Sequence, residues 1–134
     1  MPERSDQIAK LKIAFASKDN IHVNQHFGWC EKFYVYEVDE NNSSLVQQID
    51  SSQKLEEEVE KLTYKISCVQ HCDIVYVSQI GPKAANMVQA CGIYPMRSSS
   101  EQEKIENVIN SMQKMISGNP PLWLKRILLK NQEK

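Results

Sequence analysis

Asp73-Ile74-Val75-Tyr76-Val77-Ser78-Gln79-Ile80-Gly81-Pro82-Lys83 is the segment from which the architecture of this chain can be read. Ile74 to Val77 form a nearly continuous apolar run, the pattern of a strand in the middle of a sheet covered on both faces. Gly81-Pro82 follows, and proline is at home at the first helical position. The spacing therefore predicts a helix from Gly81 to Ala90 that ends at Gly92. Upstream, from Ser52 onward, Leu55, Val59, Leu62, Ile66 and Val69 recur on one helical face. The acidic residues Glu56, Glu57, Glu58 and Glu60 sit near its N-terminal end, where the helix dipole favours them. A helix, a buried strand and a second helix in succession mark an α/β protein.

Working outward, Leu11 to Ala16 alternates and reads as a strand. Lys32 to Val38 is aromatic and β-branched, a second strand; Asp39 to Asn42 is a turn, and Leu45 to Asp50 a third strand. Beyond the central segment, Ile93 to Met96 reads as a short strand, placed at a sheet edge by Pro95. Ser100-x-x-Glu103 has the form of a capping box. It opens a predicted helix with the apolar stripe Ile105, Val108, Ile109, Met112 and Ile116. Gly118 ends that helix, Asn119-Pro120-Pro121 breaks the chain, and Leu122 to Lys130 reads as an amphipathic helix carrying Trp123, Lys125, Arg126 and Lys130. The expected organisation is a polar, flexible segment 1–10, one α/β domain over 11–117 and a C-terminal tail over 118–134.

The chain has 134 residues, 41% of them hydrophobic and 25% charged, enough for one domain with its own core. Sixteen basic and 17 acidic residues give a net charge of −1, so no general basic field invites nucleic acid or an anionic membrane. Met1-Pro2-Glu3-Arg4-Ser5-Asp6 lacks the apolar stretch of a signal peptide, and no run approaches a membrane span. A cytoplasmic protein with reduced thiols is expected. Cys30, Cys68, Cys72 and Cys91 contain no Cys-x-x-Cys pair, and most of them are expected to be buried as small hydrophobes.

Chemistry concentrates in residues 20–30, Asn-Ile-His-Val-Asn-Gln-His-Phe-Gly-Trp-Cys, on a loop after the first strand. His22, His26 and Cys30 stand four apart, and imidazole and thiolate are ligands that iron and other borderline metals prefer. Gly28 allows a bulky ligand close to the backbone, and Asn24 and Gln25 can hydrogen-bond to it or orient a ligand. The same spacing also fits a surface loop with two ordinary histidines. With few apolar anchors, this loop is expected to be mobile when empty. A second candidate is the strand-to-helix turn at Gly81, whose free amides, with Lys83, form an anion site at the carboxyl ends of the strands. Arg97, after the last strand, either faces that crevice or is solvated. His71-Cys72 closes the first long helix and reads as a helix terminus with a packed thiol.

Three groups of residues carry a resemblance. Lys12-Ile13-Ala14-Phe15-Ala16-Ser17, Val23-Asn24-Gln25-His26-Phe27-Gly28-Trp29 and Phe33-Tyr34-Val35-Tyr36 form the first. Ile80-Gly81-Pro82-Lys83-Ala84-Ala85 with Gly92-Ile93-Tyr94-Pro95 forms the second, and Gly118-Asn119-Pro120-Pro121-Leu122-Trp123-Leu124-Lys125-Arg126 the third. In this order, across residues 11–129, they resemble the dinitrogenase iron–molybdenum cofactor-binding family and its NifX-type accessory members. The extra N-terminal domain of the related apo-dinitrogenase chaperones is not in this sequence, which favours the NifX type. The resemblance implies a ribonuclease-H-like fold with a mixed five-stranded sheet. It implies transient binding of an iron–sulfur precursor of the nitrogenase cofactor, or of the iron–molybdenum cofactor itself. The cluster-building radical enzyme is the implied donor and the cofactor scaffold complex the implied acceptor. The histidine before Phe-Gly, here His26, is the implied leading ligand. Cys30, where a small residue such as alanine is expected, is either an added thiolate ligand or a packing residue.

A carrier agrees with the residues themselves. A permanent cluster site uses several cysteines in a tight pattern, and this chain has none. A nuclease needs clustered carboxylates for its metal ions, whereas Asp19, Asp39 and Asp73 are scattered, so the chain is not read as an enzyme. Two other readings remain: a docking protein acting through the Trp123 helix, and a mononuclear metal site at His22, His26 and Cys30.

Overall fold

The computed structural model describes residues 9–132. Residues 1–8 and 133–134, and with them most of the segment expected to be flexible, lie outside the described residues. Five strands, β1 (Leu11–Ala16), β2 (Lys32–Val38), β3 (Ser43–Asp50), β4 (Ile74–Val77) and β5 (Tyr94–Arg97), form one sheet in the order β3-β2-β1-β4-β5. β2 runs antiparallel to β1 and β3, while β4 and β5 run parallel to β1. This mixed α/β sheet is the ribonuclease-H-like arrangement implied above. The helices are α1 (Glu58–Val69), α2 (Pro82–Ala90), α3 (Ile105–Ser117) and α4 (Leu122–Gln132).

Because side chains alternate across a strand, β1 and β4 feed two cores at once. Ala14, Ala16, Val75 and Val77 meet Leu62, Ile66 and Val69 of α1 and Ala84 and Val88 of α2. Ile13, Phe15, Ile74 and Tyr76 meet Ile105, Val108 and Met112 of α3 and Leu124 of α4. The apolar run 74–77 is buried along its whole length, as a strand covered on both faces must be. Pro95 lies on the outermost strand opposite Val75, where its missing N–H leaves the inner ladder intact. No helix among the described residues is long and apolar enough to cross a membrane.

Three expectations are corrected. The helix predicted from Ser52 begins only at Glu58, leaving Leu55 before it and Val59 42% exposed. Ser51 is held instead by the end of the loop before β2, its N–H donating to Glu31 O at 2.9 Å and its hydroxyl to Cys30 O at 2.8 Å. Glu57 then caps α1 by accepting from Glu60 N at 2.8 Å. The stripe that α1 buries includes Lys65, between Leu62 and Ile66.

The Ser100-x-x-Glu103 box does not open α3. It closes a turn, with Glu103 Oε1 accepting from Ser99 N at 2.8 Å and Ser100 Oγ from Gln102 N at 3.1 Å. Lys104 stays extended because the chain around it pairs with 21–23, through Val23 N to Glu103 O at 2.9 Å and Ile105 N to Ile21 O at 2.8 Å. α3 therefore starts one residue after this bridge, capped by no side chain.

The loop after β1 has stronger anchors than its composition suggests. Val23 and Phe27 are fully buried, one in each core, and the Phe27 ring lies 6.0 Å from that of Phe33.

Candidate functional site

The parallel strands β1, β4 and β5 all end at one side of the sheet, the side where open α/β sheets bind ligands. Three connections crown it: the loop 17–31 after β1, the turn into α2 after β4 and the turn 98–104 after β5. The loop is sewn between the other two. Val23 pairs with Glu103 on one side; on the other, Ser78 N donates to Gln25 O at 3.0 Å and Phe27 N to Gln79 O at 2.9 Å. Phe27–Trp29 then make one 3-10 turn, entered through His26 in extended backbone.

This stitching joins the two stretches singled out by sequence. His26, Gly28 and Trp29 from the loop face Gln79, Gly81 and Lys83 from the α2 turn across an open cleft of about 490 Å³, floored by Glu58, Lys61 and Leu62 of α1. Gly81 caps α2 without a side chain, and Pro82 has no N–H to offer. The first-turn amides of Lys83 and Ala84 are therefore directed at the cleft end of the helix without an intrahelical acceptor, beside the Lys83 ammonium. Two lysines and one glutamate among the lining residues favour an anionic occupant.

The other expected residues are placed elsewhere. His22 does not line the cleft: its Nδ1 is 2.8 Å from Asp19 Oδ2. That ring contact, with the main-chain amides of His22 and Ile21, holds the Asp19 carboxyl far below the usual carboxylate range. Asn24 Oδ1 accepts from Lys18 N at 2.9 Å, an internal loop contact. Gln25 lines a different pocket, of about 500 Å³, with Ser17, Lys18, Glu31, Lys32 and Asp50. That pocket is as large as the cleft, but it holds no imidazole or thiol and its charges are mixed. Arg97 is exposed at the end of β5 and does not line the cleft.

Cys30 lies in the core beside Phe27 and Phe33, its Sγ 2.6 Å from Lys32 O. Burial pushes its thiol up to about 11, so it stays protonated at neutral pH, the wrong form for a metal ligand. Its carbonyl accepts from the buried Lys65 ammonium, which also donates to Ser51 O at 2.6 Å. Gly28 is not sterically required by the protein, since an added Cβ would sit at an ordinary 3.8 Å from Lys61 Cε. Among the described residues, no three of His, Cys, Asp and Glu converge closely enough to hold a metal ion. The mononuclear site of His22, His26 and Cys30 is therefore not assembled, and Asp39 and Asp73 are occupied in a turn and at the start of β1.

Sequence reasoning missed three residues. Trp29 stands 75% exposed at the cleft rim, and Lys61 Nζ lies 5.3 Å from its ring centroid. Glu101 Oε2 lies 3.7 Å from His26 Nε2. An exposed tryptophan beside a glycine was a usable signal; Lys61 and Glu101 carry none, because tertiary structure alone brings them there.

The chain matches the family described as dinitrogenase iron-molybdenum cofactor over residues 9–115. Protein NifX of Herbaspirillum seropedicae is 33% identical over 126 residues, covering 92% of this chain and 86% of that protein. Protein NifX of Azotobacter vinelandii is 31% identical over 128 residues, covering 94% and 80%. The solved structure of a dinitrogenase-like protein from Methanocaldococcus jannaschii superposes with a TM-score of 0.59 at 13% identity, covering 80% of this chain and 91% of that one, a likeness of fold. The chain belongs to the dinitrogenase iron–molybdenum cofactor family, as a protein of the NifX type.

Proposed function

We propose that this protein carries an iron–sulfur precursor of the nitrogenase cofactor without transforming it. It receives the cluster from the radical enzyme that builds it and releases it to the scaffold complex where maturation continues. The observation that carries this reading is the convergence of His26 with the uncapped start of α2 and Lys83 on one open cleft. A single imidazole supplies one bond to iron; the helix amides and the lysines at the cleft attract an anionic cluster without bonding to its metal. Such a site holds cargo and still lets it go, whereas a resident cluster is fixed by several thiolates. Both family membership and the relatives named NifX support a place in iron–molybdenum cofactor assembly.

The test is anaerobic gel filtration of the protein mixed with isolated precursor cluster, measuring iron that co-elutes. Wild type should retain about stoichiometric iron. His26→Ala should lose roughly tenfold or more, in line with removal of a direct ligand. His71→Ala should match wild type, because His71 Nε2 bonds Gln47 at 2.8 Å on the β3 edge. Equal losses from both variants would reject the cleft.

A second reading, docking, is favoured by α4. Leu122 and Leu129 are 62% and 58% exposed beside the exposed Lys125, Arg126 and Lys130. It complements carriage, since a carrier must recognise its acceptor.

A further inference from the structure

We infer that Glu101 is the positioning residue of this site: its carboxylate accepts a hydrogen bond from the Nε2–H of His26, which keeps the proton on Nε2 and leaves the Nδ1 lone pair free to bond to cargo iron. The cargo half of this inference rests on the carrier reading; the tautomer half does not. A neutral imidazole has one N–H donor and one free lone pair, and a partner on one nitrogen decides which is which. Metal-binding histidines commonly donate the second ring N–H to a carboxylate, which fixes the ring and makes the ligating nitrogen more basic.

The geometry places a carboxylate at one ring nitrogen of His26. Glu101 Oε2 stands 3.7 Å from Nε2, a gap that a small side-chain rotation closes to a hydrogen bond. His26 lines the cleft and Glu101 does not, so Glu101 is not placed as a competing ligand inside it. The backbone that carries each residue is anchored. The backbone at His26 is bridged to Gln79, and the turn bearing Glu101 is closed by Ser98 Oγ to Ser100 O at 2.8 Å and by the Glu103 contact to Ser99 N. The two connections are tied to each other through Val23 and Glu103. The two side chains are themselves about half exposed, 47% for His26 and 58% for Glu101, so their torsions are free to close the gap. The turn that replaces the expected helix cap is thus the device that presents a carboxylate to the histidine.

Two measurements decide it. On metal-free protein labelled with 15N-histidine, at mildly alkaline pH, two-bond proton–nitrogen spectra report which nitrogen carries the proton, with His26→Ala assigning the signal. Wild type should hold the Nε2–H form, and Glu101→Ala should shift the population towards Nδ1–H. A wild-type proton on Nδ1, or a distribution unmoved by Glu101→Ala, overturns the assignment. On loaded protein, pulsed electron paramagnetic resonance with histidine labelled at either Nδ1 or Nε2 should find the strong coupling at Nδ1, and coupling at Nε2 overturns it. Glu101→Ala should weaken iron retention by about tenfold, whereas Glu101→Gln, whose amide oxygen still accepts, should stay within about threefold. Wild type that binds no cluster would reject the carrier reading, and the tautomer spectra would still decide the role of Glu101.

Discussion

Cys30 and Cys72 show how burial sets the chemistry of single residues. Each thiol titrates near 9.0 in ordinary surroundings; desolvation pushes Cys30 up to about 11 and Cys72 up to about 12. Above pH 9.0 the unfolded chain releases these protons while the folded chain keeps them. The stabilising contribution of each thiol is therefore complete below that pH and is lost as pH rises towards the folded value. Each thiol contributes a decline of up to about 1.4 kcal/mol per pH unit across that window. Lys65 acts in the opposite sense, because desolvation lowers its folded value and the penalty for burying its charge fades as pH climbs. Cys72→Ala should flatten the fall of unfolding free energy above pH 9.0 by about 1 kcal/mol per unit, read from urea titrations at several pH values. An unchanged slope would mean that Cys72 titrates as a free thiol. Cys30→Ala, by the same logic of a protonated core thiol, should leave iron retention as in wild type.

At the scale of elements, the turn 98–104 carries a separate prediction. Glu103 bonds Ser99 N within the turn and caps nothing in α3, whose first residue follows an uncapped Lys104. Glu103→Ala should therefore cost about 1 kcal/mol of stability with the helix unshortened, so amide exchange in the first turn of α3 stays as in wild type. Faster exchange there would restore the capping box. This element also marks the limit of what the sequence makes legible. β1, β2, β4 and the start of α2 could be read directly, because burial leaves its period in the residue order and Gly-Pro marks a helix start by local geometry alone. The start of α1 and the role of Ser100 and Glu103 could not, because hydrogen bonds from loop segments distant in sequence override local propensity there. The candidate site divides the same way. His26, Gly81 and Lys83 were found from local patterns, whereas Lys61 and Glu101 reach the site only through the fold, and a buried Lys65 contradicts the ordinary expectation for a lysine.

For the whole molecule, the sheet separates two kinds of surface. α1 and α2 cover one face and frame the cleft, while α3 and α4 cover the other and leave an exposed apolar and basic ridge. α4 belongs to the core on its inner side. Leu124 is fully buried, Trp123 stacks on Tyr94 with centroids 4.2 Å apart, and Asn131 Nδ2 donates to Lys10 O at 2.6 Å and to Asp73 Oδ2 at 3.1 Å. Deleting residues 119–134 would strip these contacts, and the fully buried Leu124 alone is worth about 2–5 kcal/mol. Such a truncation should lower the thermal midpoint so far that cargo binding and docking fail together, which separates nothing. Leu122→Asp with Leu129→Asp changes only the outer side of the same helix. Each exposed substitution should alter stability by about 0.5 kcal/mol or less. On the carrier proposal, the double variant should therefore fold, load cluster to the same extent as wild type, and deliver it poorly. Iron transferred from the loaded protein to the scaffold complex over time is the quantity to measure. A severalfold slower transfer at unchanged loading assigns the ridge to the acceptor; wild-type transfer would leave the cleft side as the surface that both partners must share.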